Sequence, residues 1–474
     1  MRKLFQRQLT LTTISLNDLI GRLNTRDDID KLVLAYHEIF NTPVLRDAIT
    51  QKLRSSLELS THCGREGMDY WKLFVFGTLR VTLDIDYDRL QNMVNNHRSL
   101  RLVVGHGDLD HHQRYGLTTL KENIGLMTEE VLKEINVLIT QHGQAIIHPY
   151  SQKKALRCRA DSYVARTNVH FPTDISLLYD ALRQMINLLG EYSKAHQIQG
   201  FRQFKANRRK LKKLMHTAAR SRKRSDKEKQ QAHKQYIELA AKLLNEALLQ
   251  HDRINAGGVL FLQDKRFVQS RDYARTLIDQ IDRRVLHGET IPHQEKIFSI
   301  VEPHTEWISK GKTGVPVELG VKLAIVQDQH QFILHHHVME HQQDVHVALD
   351  LVKGVKAQYG AMDSITFDRG FWSPENQSAL EKEVRKVVLP KKGYKNQARQ
   401  AIEDEKEFKK LRQQHSAVES GIHALQHHGV NTIPDKGIEN YKRYIALGVL
   451  GYNVHRLGSI LLDRHHRRKR KCAA

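Results

Sequence analysis

The clearest hydrophobic pattern in the chain is a helical stripe that begins after residue 173. Its apolar members recur every three or four residues and fall on one face of a helix: Leu177, Leu178, Ala181, Leu182, Met185, Ile186 and Leu189. Thr173 or Asp174 is predicted to cap this helix, because a short polar side chain accepts hydrogen bonds from the first backbone N–H groups. The stripe predicts a helix that packs its apolar face on another element.

The N-terminal part of the chain also has a helical pattern. Asn17 or Asp18 is placed to cap a first helix, and Trp71–Arg80 has the composition of a packed helix. The run 105–113, rich in glycine and histidine, interrupts the pattern before a further helix predicted over 128–140, which Thr128 and Glu129 could start. We therefore predict a helical N-terminal region.

A mixed sheet is predicted from the rest of the pattern. Residues 156–171 place small apolar residues among β-branched and aromatic ones, which is typical of strands. After Gly311 the pattern predicts strands over 315–327 and 331–339, a helix over 344–359, a strand over 364–367, a helix over 374–383 and a strand over 386–389. The fold class is therefore α/β (α+β), and this order of elements resembles that of a ribonuclease-H-like mixed sheet with a long helical insertion.

The charge of the chain points to a polyanionic partner. Its 75 Lys and Arg residues exceed its 53 Asp and Glu residues, which gives a formal net charge of +22. Nucleic acid is the first candidate. An anionic membrane is the second, but no run approaches the ~20 apolar residues that span a bilayer and no apolar signal stretch stands at the N-terminus. We expect an intracellular protein that does not enter a membrane.

Much of this charge lies in a basic helical insertion between residues 201 and 250. Five cations stand together in it: Arg208, Arg209, Lys210, Lys212 and Lys213. Such a run forms either a solvated helix face or a DNA-binding surface, and we favour DNA because phosphates can replace the counterions that the cations otherwise require. A second basic run, 465–471, follows a helix predicted over 441–462 and could also contact phosphates.

The cysteines define no site. Cys63, Cys158 and Cys472 are odd in number and have no Cys-x-x-Cys spacing, so they support neither a disulfide framework nor a cysteine zinc site.

Two aspartates are the strongest candidates for chemistry. Asp161 and Asp368 each lie at the end of a predicted strand, and the two strands are neighbours in the proposed sheet. Asp368 runs directly into Arg369-Gly370, a turn that lets the backbone approach a ligand. A surface turn would explain Asp368 alone, but paired carboxylates are what a hard divalent metal requires for phosphodiester chemistry.

Three segments carry a resemblance to a known family. Residues 159–174, Gly311–Gly320 and Asp368-Arg-Gly-Phe371 are similar to segments of bacterial insertion-sequence transposases of the Asp-Asp-Glu type, over roughly residues 70 to 463. The resemblance implies that Asp161 and Asp368 are the first two catalytic acids. The third acid of the family lies on a helix with Tyr, Arg, Glu and Lys at fixed spacing.

Glu419 is the choice for the third acid, because residues 408–425 resemble the family's glutamate helix. The match departs from the family at three positions, where Arg412 replaces Tyr, His415 replaces Arg and Gln426 replaces Lys. Three other acids lie nearby, and their cluster of charges favours a solvated helix face: Glu403, Glu405 and Glu407.

The resemblance implies a metal-dependent DNA transposase. Asp161, Asp368 and Glu419 would bind two Mg²⁺ or Mn²⁺ ions, and Arg369, Arg412 and His415 would contact DNA. The DNA partners would be terminal inverted repeats and target DNA, bound by a homo-oligomer in the bacterial cytoplasm at the nucleoid. A plain nuclease of the same fold and a non-catalytic DNA-binding descendant stay open as alternatives.

Two further groups have a structural explanation. Asp344 begins a predicted helix, and we favour a helix cap over a role beside the catalytic acids, although an equivalent acid occurs there in the family. Histidines 335–337, with His341 and His346, are interpreted as polar strand residues rather than zinc ligands, because neighbours on a strand point to opposite faces.

The predicted domains follow from these patterns. They are a helical N-terminal DNA-binding domain (1–112), the start of the catalytic domain with its first strand (113–173), a helical basic insertion (174–311), the remainder of the catalytic domain (312–463) and a basic tail (464–474).

Overall fold

The structure is a computed structural model that describes residues 2–5, 27–57, 67–107, 110–148, 155–201, 203–221, 225–256, 264–309 and 316–473. The predicted cap at Asn17 or Asp18, Cys63 and the first residues of the Gly311–Gly320 motif lie outside these residues. The chain divides into two compact units. We call Met1–Asn168 with Gly320–Ala474 the sheet unit and Val169–Leu319 the insertion unit.

The elements follow one another in this order. The helices before the sheet are α1 (Asp28–Asn41), α2 (Pro43–Ser56), α3 (Tyr70–Thr82), α4 (Tyr87–Asn96), α5 (Arg98–Val103), α6 (Leu117–Ile124) and α7 (Glu129–Ile147). Strand β1 (Leu156–Thr167) precedes the insertion, which holds α8 (Asp174–Ala195), α9 (Phe204–Arg220), α10 (Asp226–Ala256), α11 (Asp264–Ile281) and β2 (Glu306–Ser309). Then come β3 (Val317–Asp328), β4 (Ile333–Met339), α12 (Asp344–Tyr359), β5 (Met362–Phe367), α13 (Pro374–Glu383), β6 (Lys386–Val388), α14 (Gln397–Asp404), α15 (Lys406–Leu425), β7 (Thr432–Ile433) and α16 (Ile438–Ala473).

Within the described residues seven strands form one sheet, which is mixed, as predicted. Its order is β2-β3-β1-β5-β6, with β4 also paired to β3 and β7 to β1. Strand β1 is antiparallel to β3 and parallel to β5, and β5 is parallel to β6. The prediction ran the first strand on to Phe171, but β1 ends at Thr167, where its pairing with β3 and β7 stops.

One hydrophobic core joins the sheet to the N-terminal helices. Trp71, Phe74 and Phe76 of α3 belong to the same buried cluster as Ile325 of β3. Asp69 caps α3 by accepting a hydrogen bond from the Lys72 N–H, and Thr128 caps α7, as its sequence indicated. Residues 1–112, a separate domain in the sequence-based division, therefore share a compact unit with the sheet.

Helix α16 packs across this core and contacts α1, α3 and α7. Over Ile438–Arg467 it is long and apolar enough to cross a membrane, and within the described residues it is the one helix that is. Most of that span is buried inside the unit, as is typical of the core helix of a globular protein. The close approach to α1 depends on Gly458, where a Cβ atom would lie 1.9 Å from the Lys31 carbonyl oxygen.

The insertion unit is built mainly from α8, α9, α10 and α11, which pack around their own apolar core. The apolar stripe predicted on α8 is buried in that core, including Leu178, Leu182 and Leu189. Thr173 is the cap of α8, since its hydroxyl accepts from the Ser176 N–H and the Ser176 hydroxyl accepts in return from the Thr173 N–H. Sequence thus identified both the helix and its start.

Candidate active site

The sheet brings Asp161 and Asp368 to adjacent strand positions. Ala160 pairs with Phe367 in the parallel ladder between β1 and β5, and the two aspartates stand one residue beyond that pair. Strand β1 continues past this point in antiparallel pairing with β3, whereas β5 ends. The predicted strand-end position is therefore right for Asp368 and wrong for Asp161, which lies inside β1 because β3 pairs with it as far as Arg166. A short turn, Arg369–Phe371, follows Asp368 and leaves its carboxylate exposed.

Asp161 is largely buried and surrounded by negative charge. Burial, followed by the nearby carboxylates of Asp368, Glu419 and Asp344, raises the pKa of Asp161 to about 7, although a hydrogen bond from the Ser162 N–H to its Oδ1 (2.7 Å) opposes the rise. A raised pKa beside several other acids makes Asp161 a candidate for a functional site.

Glu419 reaches the same place from helix α15. This helix contacts β1, β5 and β6 and buries one apolar face, which includes Val418 and Ile422. Gly421 lets it approach the sheet, because a Cβ atom there would lie 2.3 Å from the Gln327 side-chain nitrogen. Glu419 itself is exposed, and its negative charge acts on Asp161.

His415 stands one helical turn before Glu419 and faces the sheet. Its Nδ1 lies 2.9 Å from the Thr366 hydroxyl, and its Nε2 is buried without a hydrogen-bond partner among the described residues. Burial lowers the pKa of His415, while the charges of Asp368 and Glu419 oppose that shift. The ring is therefore held against β5, and the predicted contact with DNA would require it to turn outwards.

Asp344 corrects one sequence interpretation. The N-cap residue of α12 is Gln343, and Asp344 follows it as the first helical residue. The Asp344 carboxylate accepts hydrogen bonds from the Ser162 hydroxyl (2.7 Å) and from the Lys322 ammonium group (3.1 Å). The helix-cap interpretation is wrong because this side chain points to β1 and β3, where it adds a fourth carboxylate near Asp161.

Glu403 corrects a second interpretation. Instead of lying on a solvated helix face, its side chain is only 6% exposed. It accepts hydrogen bonds from the Lys391 N–H, the Lys395 ammonium group and the Arg399 guanidinium group. Burial alone would raise its pKa, but these donors lower it overall. Glu403 is thus a buried anchor for neighbouring cations, whereas Glu405 and Glu407 are exposed and pair with Lys386.

The residues predicted to bind DNA occupy two places. In the insertion unit, α9 exposes Arg209, Lys210, Lys212 and Lys213, while the Arg208 guanidinium group donates to Asn187 (2.9 Å). In the sheet unit, Arg369 is exposed beside Asp368, and Arg412 is exposed on α15 with its guanidinium group 3.9 Å from Glu403.

The three histidines of β4 have different surroundings. His336 is buried, His335 packs against Gly354, and the His337 Nε2 atom lies 2.7 Å from the Gln342 side-chain oxygen.

The carboxylates fit a hard divalent cation by chemistry, and less well by their present spacing. Across the described ranges, no three His, Cys, Asp or Glu side chains are close enough to bind one ion as they stand. Oxygen ligands are what Mg²⁺ prefers, and mutual repulsion among these acids is relieved by a cation. Asp368 and Glu419 are exposed, so their side chains are free to turn towards an ion bound by Asp161.

Comparison with models of protein families, with curated proteins and with solved structures returned no significant match.

Proposed function

We propose that this chain is a DNA transposase that cuts and joins DNA strands with the help of divalent metal ions. The observation that carries the proposal is the carboxylate of Asp161, which lies on β1 where the pairing with β5 stops, at the same level as Asp368, and which the charges of Asp368, Glu419 and Asp344 affect. Carboxylates held near one another repel, and a cation bound among them relieves that repulsion. The acids of this site are the same residues that resemble the transposase motifs.

The order of elements supports a ribonuclease-H-like catalytic fold. After β1 and the insertion come β3, β4, α12, β5, α13 and β6, and then the helix α15. The acids lie on the first strand, directly after the strand that follows α12, and on α15. This distribution agrees with the family's Asp-Asp-Glu arrangement, as does the central position of β1 between an antiparallel and a parallel neighbour.

In the proposed mechanism Asp161, Asp368 and Glu419 would hold two Mg²⁺ or Mn²⁺ ions. Ions bound there would activate a nucleophilic oxygen and stabilise the leaving oxygen. Asp344, kept in place by Ser162 and Lys322, adds negative charge behind Asp161. The exposed Arg369 is placed to hold a phosphate of the strand beside Asp368.

The reaction has two phosphoryl transfers. A water oxygen forms a bond to the phosphorus at the element's end as the P–O3′ bond breaks, which leaves a 3′ hydroxyl. That hydroxyl then attacks a phosphorus of target DNA and displaces another 3′ oxygen. By resemblance, the specific ligand is the terminal inverted repeat, two ends are paired by a homo-oligomer, and the compartment is the bacterial cytoplasm at the nucleoid.

The test is cleavage of a labelled duplex that carries the DNA flanking this gene, with Mg²⁺ or Mn²⁺. We expect metal-dependent nicking at the repeat boundary, which Asp368→Asn abolishes while DNA binding persists, because only a metal ligand is lost. Asp350→Asn, an exposed aspartate on α12, is the matched control and should cleave normally.

Other outcomes identify the alternatives. Nicking without transfer of the 3′ end to a second duplex indicates a plain nuclease. Tight binding by the unaltered chain with no nicking in either metal indicates a non-catalytic descendant. Unchanged nicking by Asp368→Asn rejects the assignment of this site.

A further inference from the structure

The turn between β6 and α14 presents an aromatic ring to solvent. Tyr394 is 86% exposed, the most exposed of the large apolar or aromatic side chains among the described residues. It follows Gly393, whose φ of 83° lets the chain reverse sharply at this point. A single exposed aromatic residue is common on protein surfaces, so its surroundings decide its significance.

Hydrogen bonds to a buried carboxylate hold the turn in place. The buried Glu403 carboxylate accepts the Lys391 N–H at 2.9 Å and the Lys395 ammonium group at 2.5 Å. The Arg399 guanidinium group donates both to Glu403 and to the carbonyl oxygen of Leu389. Both ends of the turn are therefore fixed to one carboxylate, and Tyr394 stands at the top of an ordered structure.

Positive charge flanks the ring, and the turn contacts the segment that follows Asp368. Lys391, Lys392 and Lys395 surround Tyr394 in sequence, and Lys392 is exposed like the tyrosine. The Lys391 ammonium group lies 5.4 Å from the centre of the Trp372 ring, in the segment that follows Asp368. Alternating basic and aromatic side chains are typical of surfaces that bind single-stranded nucleic acid, where bases stack on rings and cations hold phosphates.

We propose that Tyr394 stacks on an unpaired base of the DNA strand at the candidate active site, with Lys391 and Lys392 contacting the phosphates on either side. The inference rests on the proposed function and adds a form of substrate to it, namely DNA that is open rather than fully paired next to the cut. A base inside an intact duplex already stacks on its neighbours and gains nothing from the ring. A base released by a gap, a nick or local melting gains a new partner.

The test compares binding of a gapped duplex and of the same duplex without the gap, with 2-aminopurine as the unpaired base. Tyr394→Ala should weaken binding of the gapped DNA roughly 5-fold to 100-fold, as expected for loss of one stacked base, and leave binding of the intact duplex unchanged. Stacking quenches 2-aminopurine fluorescence, and that quenching should disappear. Tyr394→Phe keeps the ring and should behave like the unaltered chain.

Gln400→Ala, an exposed position on α14, is the control for a change in the same region. Because Tyr394 is exposed, its replacement leaves the fold intact, which circular dichroism checks. Equal affinity of Tyr394→Ala and the unaltered chain for gapped DNA overturns the stacking proposal, as does failure of the unaltered chain to bind gapped DNA.

Cleavage is measured on the same samples, so the two proposals fail separately. Loss of quenching in Tyr394→Ala without any cleavage by the unaltered chain supports stacking and rejects strand cleavage. Cleavage that depends on Asp368, together with unaltered quenching in Tyr394→Ala, rejects stacking alone.

Discussion

At the scale of one residue, the stability of the fold favours a protonated Asp161, whereas metal binding requires an ionised one. Its pKa of about 7 lies well above the value of about 4 for an aspartate in an unfolded chain. Between these two pH values the folded protein binds the proton more readily than the unfolded chain does. The free energy of unfolding therefore falls as the pH rises from about 4 to about 7, and the ionised carboxylate needed for metal binding is present at the cost of stability.

We predict that Asp161→Asn raises the unfolding temperature at pH 8 in EDTA and abolishes cleavage. Each pKa unit corresponds to about 1.4 kcal/mol, so the gain is on the order of 2–4 kcal/mol at pH 8 and vanishes near pH 4. Thermal unfolding followed by circular dichroism at both pH values measures it. Asp350→Asn, at an exposed position, should change neither property.

Mg²⁺ provides the complementary measurement. It should raise the unfolding temperature of the unaltered chain at pH 8 more than that of Asp161→Asn, because binding to the folded state alone stabilises that state. An asparagine variant that is less stable than the unaltered chain at pH 8 would contradict the assigned pKa.

The position of the His415 ring could not be predicted from the motif resemblance. The motif comparison showed only that a histidine stands where the family often has arginine. The structure adds that the ring bonds to Thr366 through Nδ1 and keeps Nε2 buried beside Asp368 and Glu419. In this position the ring links α15 to β5 through Thr366.

At the scale of elements, the close contact between α16 and α1 depends on a single missing side chain. We predict that Gly458→Ala lowers the free energy of unfolding by about 1–3 kcal/mol, as overpacking of a core does, because the added methyl group would meet the Lys31 carbonyl oxygen. Denaturant unfolding measures the change.

Ser459→Ala is the control at the neighbouring position. This substitution removes a hydroxyl that donates a hydrogen bond within the helix, and it adds no volume. It should have a much smaller effect than Gly458→Ala. Equal stability of Gly458→Ala and the unaltered chain would mean that the helices separate easily at this point.

Elements with a clear period were predictable from sequence. The bounds of α12 and α13 agree with the prediction, and β3, β4 and β5 differ from it by two residues or fewer at each end. The short strands β2 and β7 were not predicted, because a strand of two to four residues is defined by its partner and not by its own pattern.

The candidate site was predictable only in part, for a related reason. Asp161, Asp368 and Glu419 could be proposed from strand ends and from the motif resemblance. The partners of Asp344 could not, since Ser162 lies 182 residues away along the chain. Glu403 appeared to share a charged surface with Glu405 and Glu407, because two of its partners, the Lys391 N–H and the Lys395 ammonium group, come from a turn with no periodic pattern.

At the scale of the whole molecule, positive charge is concentrated on a helix of the insertion. The chain leaves the sheet after β1 and returns to it in β2, which precedes β3. Helix α9 buries Leu211 and Ala218 and exposes most of its cations. We infer that this helix supplies part of the nonspecific affinity for DNA, which grows with the number of counterions released.

We predict that Arg209→Gln, Lys210→Gln and Lys213→Gln together reduce the salt dependence of DNA binding. If all three contact phosphates, the slope of log K against log salt falls in magnitude by about 0.9 for each. Affinity measured over a series of salt concentrations gives the slope. The same number of exposed lysines neutralised in the sheet unit serves as the control: Lys121, Lys353 and Lys382. An equal loss of slope in both triple variants would show that α9 has no special role.

The packing of α16 against α1 also means that the core can close only after nearly the whole chain has been synthesised. His455 bonds to Asp28 across 427 residues of chain, and at 5–20 residues per second a ribosome needs roughly 20 to 90 seconds to make that interval. During this time the apolar faces of α1 and α3 lack the helix that covers them in the folded chain. A chain that is interrupted before α16 therefore lacks the helix that closes this core.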